Sequence, residues 1–383
     1  MDNLTNQENI NRLFNQLVNN EGRNTFFIIT NSVKQSWVVP KKNIKMGLNL
    51  FQPSTNQGKL VKWLFPYLYY FKLIRVKLGI ATIKISIKEE LNDLFQNIFQ
   101  CDHLDFAFFL GSPVVHQKIT IQISHKRRFL GYCKVTDQLP IKSIFEKEHT
   151  VLDDLHQLGF DDIPKCLYCA PLKKDIFTFV QNTEKTSKSA MSYKHEKLVW
   201  NFLEILHIKT ALKVSFESTD YFKMLIDLKS QIEFYQLKDS EIILSTINDV
   251  ESYFYERKTV FSAYHGDFTS WNCFVENNKL FAFDLEYFQR IYPPYMDYFH
   301  YYTQTAFYDK KWQAFQIYQG YIQQIENIKK YISDPTLYYK AYILNIICFY
   351  LKRENGKLNS ILAASYKIWI ELLYLLNKNE TIQ

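Results

Sequence analysis

Asp267 and Asn272 stand five residues apart in the segment Tyr264-His265-Gly266-Asp267-Phe268-Thr269-Ser270-Trp271-Asn272. Two apolar runs follow, Cys273-Phe-Val275 and Leu280-Phe-Ala-Phe283, joined by Glu276-Asn-Asn-Lys279 and ending in Asp284-Leu-Glu286. The Asn-Asn pair suits a tight hairpin turn, because Asn tolerates left-handed backbone. Pairing across that turn places Asn272 and Asp284 at the same end of the hairpin. Two hard oxygen ligands there suit Mg²⁺, and Asp267 beside them is placed to accept a proton. Phosphoryl transfer uses such a set: the metal neutralises phosphate charge, while a carboxylate takes the proton of the attacking hydroxyl and aims it in line. The competing reading of Asp267 and Asn272, an Asx turn at a helix end, leaves Asp284 unexplained.

The elements around this segment fall into an ordered series. Residues 1–60 are polar and Asn/Gln-rich, with short strand-like pieces such as Thr25-Phe-Phe-Ile-Ile-Thr30. Residues 88–100 carry Leu91, Leu94, Ile98 and Phe99 at helical spacing. An antiparallel meander is expected from Asp105-Phe-Ala-Phe-Phe-Leu110, Lys118-Ile-Thr-Ile-Gln-Ile-Ser124 and Phe129-Leu-Gly-Tyr-Cys-Lys-Val135. A helix follows over 142–158, with Gly159 as its stop. Two more strand-like runs, 165–169 and 175–180, lead to the polar connector 181–189. The remainder reads as helical apart from 263–288. Strands, a helix, strands, a connector and a helical mass together predict two lobes with a ligand cleft between them.

His265-Gly-Asp-Phe-Thr-Ser-Trp-Asn272 followed by Asp284-Leu-Glu286 resembles the aminoglycoside phosphotransferase/choline kinase family, small-molecule kinases with a protein-kinase-like fold. Pro294-Tyr-Met-Asp297-Tyr-Phe-His300 resembles that family's element after the metal aspartate. The resemblance covers residues 104 to about 305. It implies an α+β, protein-kinase-like two-lobe fold: an antiparallel sheet plus helix N-lobe over 101–185, a mostly helical C-lobe over 186–383, and an extra N-terminal segment, 1–100. By the same resemblance Asp267 is the catalytic base and Asn272 and Asp284 are Mg²⁺ ligands. His265, Glu286 and Asp297 are supports, Trp271 packs, and ATP is the phosphate donor.

That chemistry demands a cation on the nucleotide phosphates, held by an acidic residue on the neighbouring helix. Lys134 on the third strand of the meander is the candidate, since an inward Lys needs a partner. Glu148 on the following helix is its first expected partner and Glu146 its second. Gly111-Ser112-Pro113 falls where the phosphate-covering turn belongs, but it holds one Gly and no GxGxxG. Ser112 and Lys118 are assigned to compensate. Gln181, Asn182 and Thr183 fall where the adenine-contacting connector belongs.

With 383 residues, 47% hydrophobic and 17% aromatic, the chain has ample material for large cores, which excludes disorder. A net charge of +7, without a basic stripe interleaved with stacking aromatics, argues against nucleic acid. Six scattered cysteines and a polar N-terminus without an apolar core predict a reducing, cytoplasmic setting. Cys166-Leu-Tyr-Cys169 is expected to be two packed thiols. Trp63 to Ile87 is the most apolar stretch, and Lys72, Arg75, Lys77 and Lys84 interrupt it. It is assigned as a core helix running into a strand, with a peripheral, membrane-proximal contact as the alternative.

From Tyr298 to the end there are 10 Lys+Arg against 6 Asp+Glu, which favours a neutral or anionic hydroxyl acceptor, such as a sugar or surface-glycan precursor, over a polycation. Two alternatives stand beside it: an aminoglycoside or choline-type kinase, and a catalytically weak nucleotide-binding regulator with a Gly-poor loop. A protein kinase is disfavoured by the lack of HRD, DFG and APE motifs. Oligomeric state is not fixed by the sequence.

Overall fold

In the computed structural model, the described residues are 2–51, 56–111, 117–358 and 360–378, so Ser112 of the expected phosphate turn lies outside them. The chain divides into two compact units, residues 1–157 with 163–190 and residues 158–162 with 191–383.

The first unit is built on one eight-stranded sheet in the order β3-β1-β2-β4-β5-β6-β8-β7. Helix α1 (Asp2–Leu17) leads into β1 (Val18–Thr30) and β2 (Ser36–Pro40). The short helices α2 (Ile44–Gly47), α3 (Asn56–Leu68) and α4 (Lys72–Lys77) precede β3 (Ala81–Ile87) and α5 (Glu89–Phe99). The meander then runs β4 (Asp105–Phe109), β5 (Ile119–His125) and β6 (Arg128–Thr136), followed by α6 (Leu139–Gln157). β7 (Cys166–Lys173) and β8 (Ile176–Asn182) complete the sheet, and the two-residue strand β9 (Ala190–Met191) falls where the chain passes from the first unit to the second.

Strand periodicity divides the first unit's apolar residues between two faces. Phe26 and Val38 join α1 and the meander residues Phe108, Ile121 and Val135 in one core. Their sequence neighbours Phe27, Trp37 and Val39 turn to the opposite face, where they meet Phe51, Phe65 and Ile80. Residues 1–100 therefore supply three strands and a covering helix to the same sheet that carries Lys134. The register is antiparallel throughout this end, with Phe26 opposite both Pro40 and Ile83.

The stretch after Trp63 differs from the core-helix assignment. α3 packs Phe65 against Phe27 at 5.3 Å between ring centroids, while Trp63 and Tyr67 point outward. α4 buries no residue at all. An apolar run at helical spacing cannot by itself show which side meets the core, and here both faces of α3 are apolar.

The second unit is mostly helical: α7 (Glu196–Thr210), α8 (Asp220–Tyr235), α9 (Ser240–Glu256), α10 (Met296–Gln304), α11 (Ala314–Ile328), α12 (Pro335–Arg353) and α13 (Ser360–Lys378). α8 begins at Thr219, whose hydroxyl accepts the Phe222 N–H, and α12 at Asp334, which accepts from Leu337 ahead of an N-terminal Pro335. α12 is buried along most of its length and serves as the central post of this unit. Between α9 and α10 lie β10 (Ser262–Tyr264), β11 (Cys273–Glu276), β12 (Lys279–Ala282) and β13 (Gln289–Tyr292).

Phe14 of α1 meets Phe108 of β4 edge-on at 5.3 Å, deep in the shared core. Phe14→Ala should therefore destabilise the unit by about 3–5 kcal/mol. Urea unfolding measures this, and amide exchange should show lost protection in β4 and β5 as well as in α1.

Candidate active site

The loop between β10 and β11 is shaped by where its backbone groups find partners. β10 pairs with β13, Ser262 opposite Tyr292 and Tyr264 opposite Gln289. Tyr264 and Tyr292 stack at 5.1 Å, and Asn345 from α12 bonds to both hydroxyls, donating to Tyr264 and accepting from Tyr292 at 3.2 Å each. This fixes the chain one residue before His265. The buried Asp297 carboxylate on α10 then accepts the N–H groups of His265 (2.8 Å) and Gly266 (3.2 Å). Gly266 has φ +86°, and a Cβ there would lie 2.3 Å from the Tyr287 carbonyl oxygen, so only glycine fits between His265 and Asp267.

Asp267 emerges from that brace with both carboxylate oxygens engaged. Asn272 Nδ2 donates to Asp267 Oδ2 at 2.8 Å and to its carbonyl oxygen at 3.0 Å. His300 Nε2 lies 3.3 Å from Oδ1. The Asp267 side chain nevertheless keeps 33% of its surface exposed, enough for a hydroxyl to reach it. Asn272 itself is buried, and its amide nitrogen is committed to Asp267.

The hairpin forms with the expected register, Cys273 opposite Ala282 and Glu276 opposite Lys279, and its Asn277 and Asn278 both adopt positive φ. Phe283 N–H donates to the Asn272 carbonyl at 3.0 Å, which sets Asp284 one step beyond the pair. Asp284 takes φ +72°, an uncommon conformation for a residue with a side chain. Its carboxylate and that of Glu286 offer oxygens within 4.8 Å of one another. Asp284 and Glu286 thus offer a pair of carboxylates that could hold a hard divalent cation, with Asn272 tied to the same hairpin end through its backbone.

His265 is buried beneath this loop, and burial lowers its imidazole to about 4 although Asp267 and Asp284 pull the other way. Its Nδ1 accepts the Asp267 N–H at 3.3 Å, so the ring works as a neutral acceptor. Burial pushes the Asp297 carboxyl up to about 7 against the two backbone N–H groups that hold it down.

In the first unit, Lys134 Nζ bonds to both oxygens of Glu148, at 2.9 and 2.7 Å, with both side chains buried. Glu146, the second expected partner, pairs with Lys142 on the surface. Gly111 has φ +77°, and a Cβ would approach the Lys118 carbonyl at 2.8 Å. Asn182 uses its side-chain oxygen on the Lys165 N–H at 2.7 Å, closing the start of β7. Gln181 is buried and Thr183 accepts from the Lys185 N–H. Trp271 is half-buried against the edge of Tyr308. Cys166 and Cys169 are free thiols on β7.

Two residues of the site were not singled out from the sequence. His300 follows Asp297 by three positions on α10, so both face the loop, and that spacing was the available signal. Asn345 had none, because it lies far along an unbroken helical run.

No protein-family model matches the sequence, and no curated protein is similar to it. Solved structures are. A thermostable mutant of aminoglycoside phosphotransferase APH(4)-Ia, in ternary complex with ADP and hygromycin B, aligns over 75% of this chain and 98% of its own, with TM-score 0.52 and 9% identity. A second mutant, bound to AMP-PNP and hygromycin B, gives 76%, 99%, 0.50 and 9%. The fold is that of an aminoglycoside phosphotransferase. Amicoumacin kinase hAmiN, in complex with AMP-PNP, Ca²⁺ and Ami, aligns over 76% of this chain and 94% of its own at TM-score 0.47 and 12% identity. At such identities the aminoglycoside phosphotransferase fold is shared while most side chains are not, so the site must be judged on its own geometry.

The neutral His265 gives a direct test of that geometry. An unfolded chain protonates this histidine near 6.5, whereas the folded one resists down to about 4. The stability it contributes is present above 6.5 and is lost as the pH falls from 6.5 towards 4. Wild type should therefore lose about 2 kcal/mol between pH 7 and 5 that His265→Asn does not lose. Thermal melts at both pH values should show the gap between the two proteins narrowing in acid; Asp297 titrates in both and cancels.

Proposed function

We propose that this chain is a kinase that transfers the γ-phosphoryl group of ATP to a hydroxyl of a small molecule. One observation carries the reading: a solvent-accessible carboxylate, Asp267, is held on both oxygens by Asn272 and His300, on a loop braced by Asp297. A structural aspartate would not be anchored on both sides yet left open to solvent.

Asp267 orients the acceptor hydroxyl and takes its proton as the oxygen attacks phosphorus. Fixing both oxygens removes the rotational freedom that would otherwise have to be lost in the transition state. Asn272 and Asp284, with Glu286 beside them, would hold Mg²⁺, which when bound supplies positive charge to the phosphates. Lys134, kept extended by Glu148, is assigned to the α- and β-phosphates; a buried ion pair of this kind holds its cation in one place. ADP and AMP-PNP in the structural neighbours support a nucleotide as co-substrate. The basic C-terminal segment favours a neutral or anionic acceptor, and a sugar or surface-glycan precursor is the proposed class. In keeping with a chain of this fold, no helix among the described residues is long and apolar enough to cross a membrane.

The test is ADP release against a panel of hydroxyl acceptors, with variants as controls. Asp267→Asn should lower kcat by a factor of about 10²–10⁴. Asp284→Ala should abolish Mg²⁺-dependent turnover with little change in melting, since it removes a half-exposed ligand and no core volume. Lys134→Ala should raise KM for ATP and also destabilise the fold by about 3–5 kcal/mol, because the buried Glu148 carboxylate loses both bonds from the ammonium. Equal background rates in wild type and Asp267→Asn would instead identify a nucleotide-binding regulator.

A further inference from the structure

α3 and α4 present an apolar surface that no element among the described residues covers. On α3 the inward positions Val61 and Phe65 pack on the sheet, while Leu60, Trp63 and Tyr67 form a stripe at three- and four-residue spacing on the outside. Trp63 is 69% exposed. The chain then turns through Phe71 into α4, where Leu73 is 85% and Val76 67% exposed. On a water-facing helix those positions are ordinarily charged or polar. Large apolar side chains clustered on two consecutive helices mark an interaction surface.

The charge around the patch selects its partner. Between Glu21 and Glu89 the sequence has twelve Lys and Arg residues and no acidic residue. Lys59, Lys72 and Lys77 are exposed on the same two helices, and Lys45 lies 5.1 Å from the Tyr67 ring. A segment so uniformly basic opposes pairing with a second copy of itself, because like charges would be brought together. Nucleic acid would satisfy the cations and stack on aromatic rings, but it leaves Leu60, Leu73 and Val76 without a role. An anionic bilayer satisfies all three components: phosphate headgroups for the lysines, the headgroup boundary for Trp63 and Tyr67, and acyl chains for the aliphatic tips.

We propose that the α3–α4 surface docks the protein onto an anionic lipid membrane, lying in the interface without crossing it. The cations draw the protein to the surface, and the apolar side chains then insert, so binding weakens both with salt and with loss of either component. Vesicle binding is read without turnover, so this proposal stands or falls independently of the phosphotransferase reading.

The experiment is co-sedimentation of the full chain with phosphatidylcholine vesicles, with and without phosphatidylglycerol. Binding is expected only to the phosphatidylglycerol vesicles and should fall at high salt. Trp63→Ser with Leu73→Ser should reduce partitioning by about tenfold or more. Lys72→Glu with Lys77→Glu should do the same, and since α4 buries nothing, this second pair leaves folding intact and decides the matter should the first pair unfold. Equal binding to both vesicle types, no binding, or wild-type binding by the charge-reversal variant would overturn the proposal. So would a concentration-dependent dimer, or RNA binding that the Trp63 and Leu73 substitutions abolish while vesicle binding persists.

Discussion

The Asp297 carboxylate, buried on α10 and accepting the N–H groups of His265 and Gly266, is the constraint from which the site follows. Those two backbone donors would otherwise be stranded inside the protein, at a cost comparable to that of an unmade hydrogen bond each. Satisfying them in one place forces the turn at Gly266 and throws Asp267 outward. Asn272 and His300 then remove its remaining freedom. The same helix therefore supplies both the brace and one of the two groups that orient the carboxylate.

Around this brace the second unit is arranged as a set of nested supports. α12 carries Asn345 to the stacked pair Tyr264 and Tyr292, which locks the short β10–β13 pairing. The β11–β12 hairpin, set by two asparagines in left-handed conformation, carries Asn272 and Asp284 to one end. Packing of aromatic rings fixes positions, and hydrogen bonds from those positions fix the polar groups. Neither would suffice alone, since three-residue and four-residue strands are too short to hold a register unaided.

What could be read from the sequence was what is local. Asp267, Asn272 and Asp284 sit within one loop and one hairpin, so spacing and turn chemistry relate them. Lys134 was legible for a different reason: a cation on an otherwise apolar strand requires a buried partner, and the next helix offers Glu148. His300 carried only the hint of its three-residue spacing from Asp297, whereas Asn345 depends on how helices pack, and no short-range pattern encodes that. The outward turn of Trp63 was hidden because a stripe of apolar residues carries no label for inside or outside. The pairing of Phe26 with Ile83 joins positions far apart in the chain, so the membership of β1, β2 and β3 in the main sheet was equally invisible.

That shared sheet has a bearing on how such a protein can be altered. β4 is hydrogen-bonded on one side to β5 and on the other to β2, through Trp37 opposite Phe109 and Val38 opposite Phe108. Trimming the chain back to residue 104, where the kinase-like resemblance begins, would leave a raw border of unpaired amides beside Phe108 and Phe109, the kind of edge on which chains stick to one another. The first hundred residues are thus not luggage carried by a portable fold; they are the selvedge that keeps its cloth from fraying.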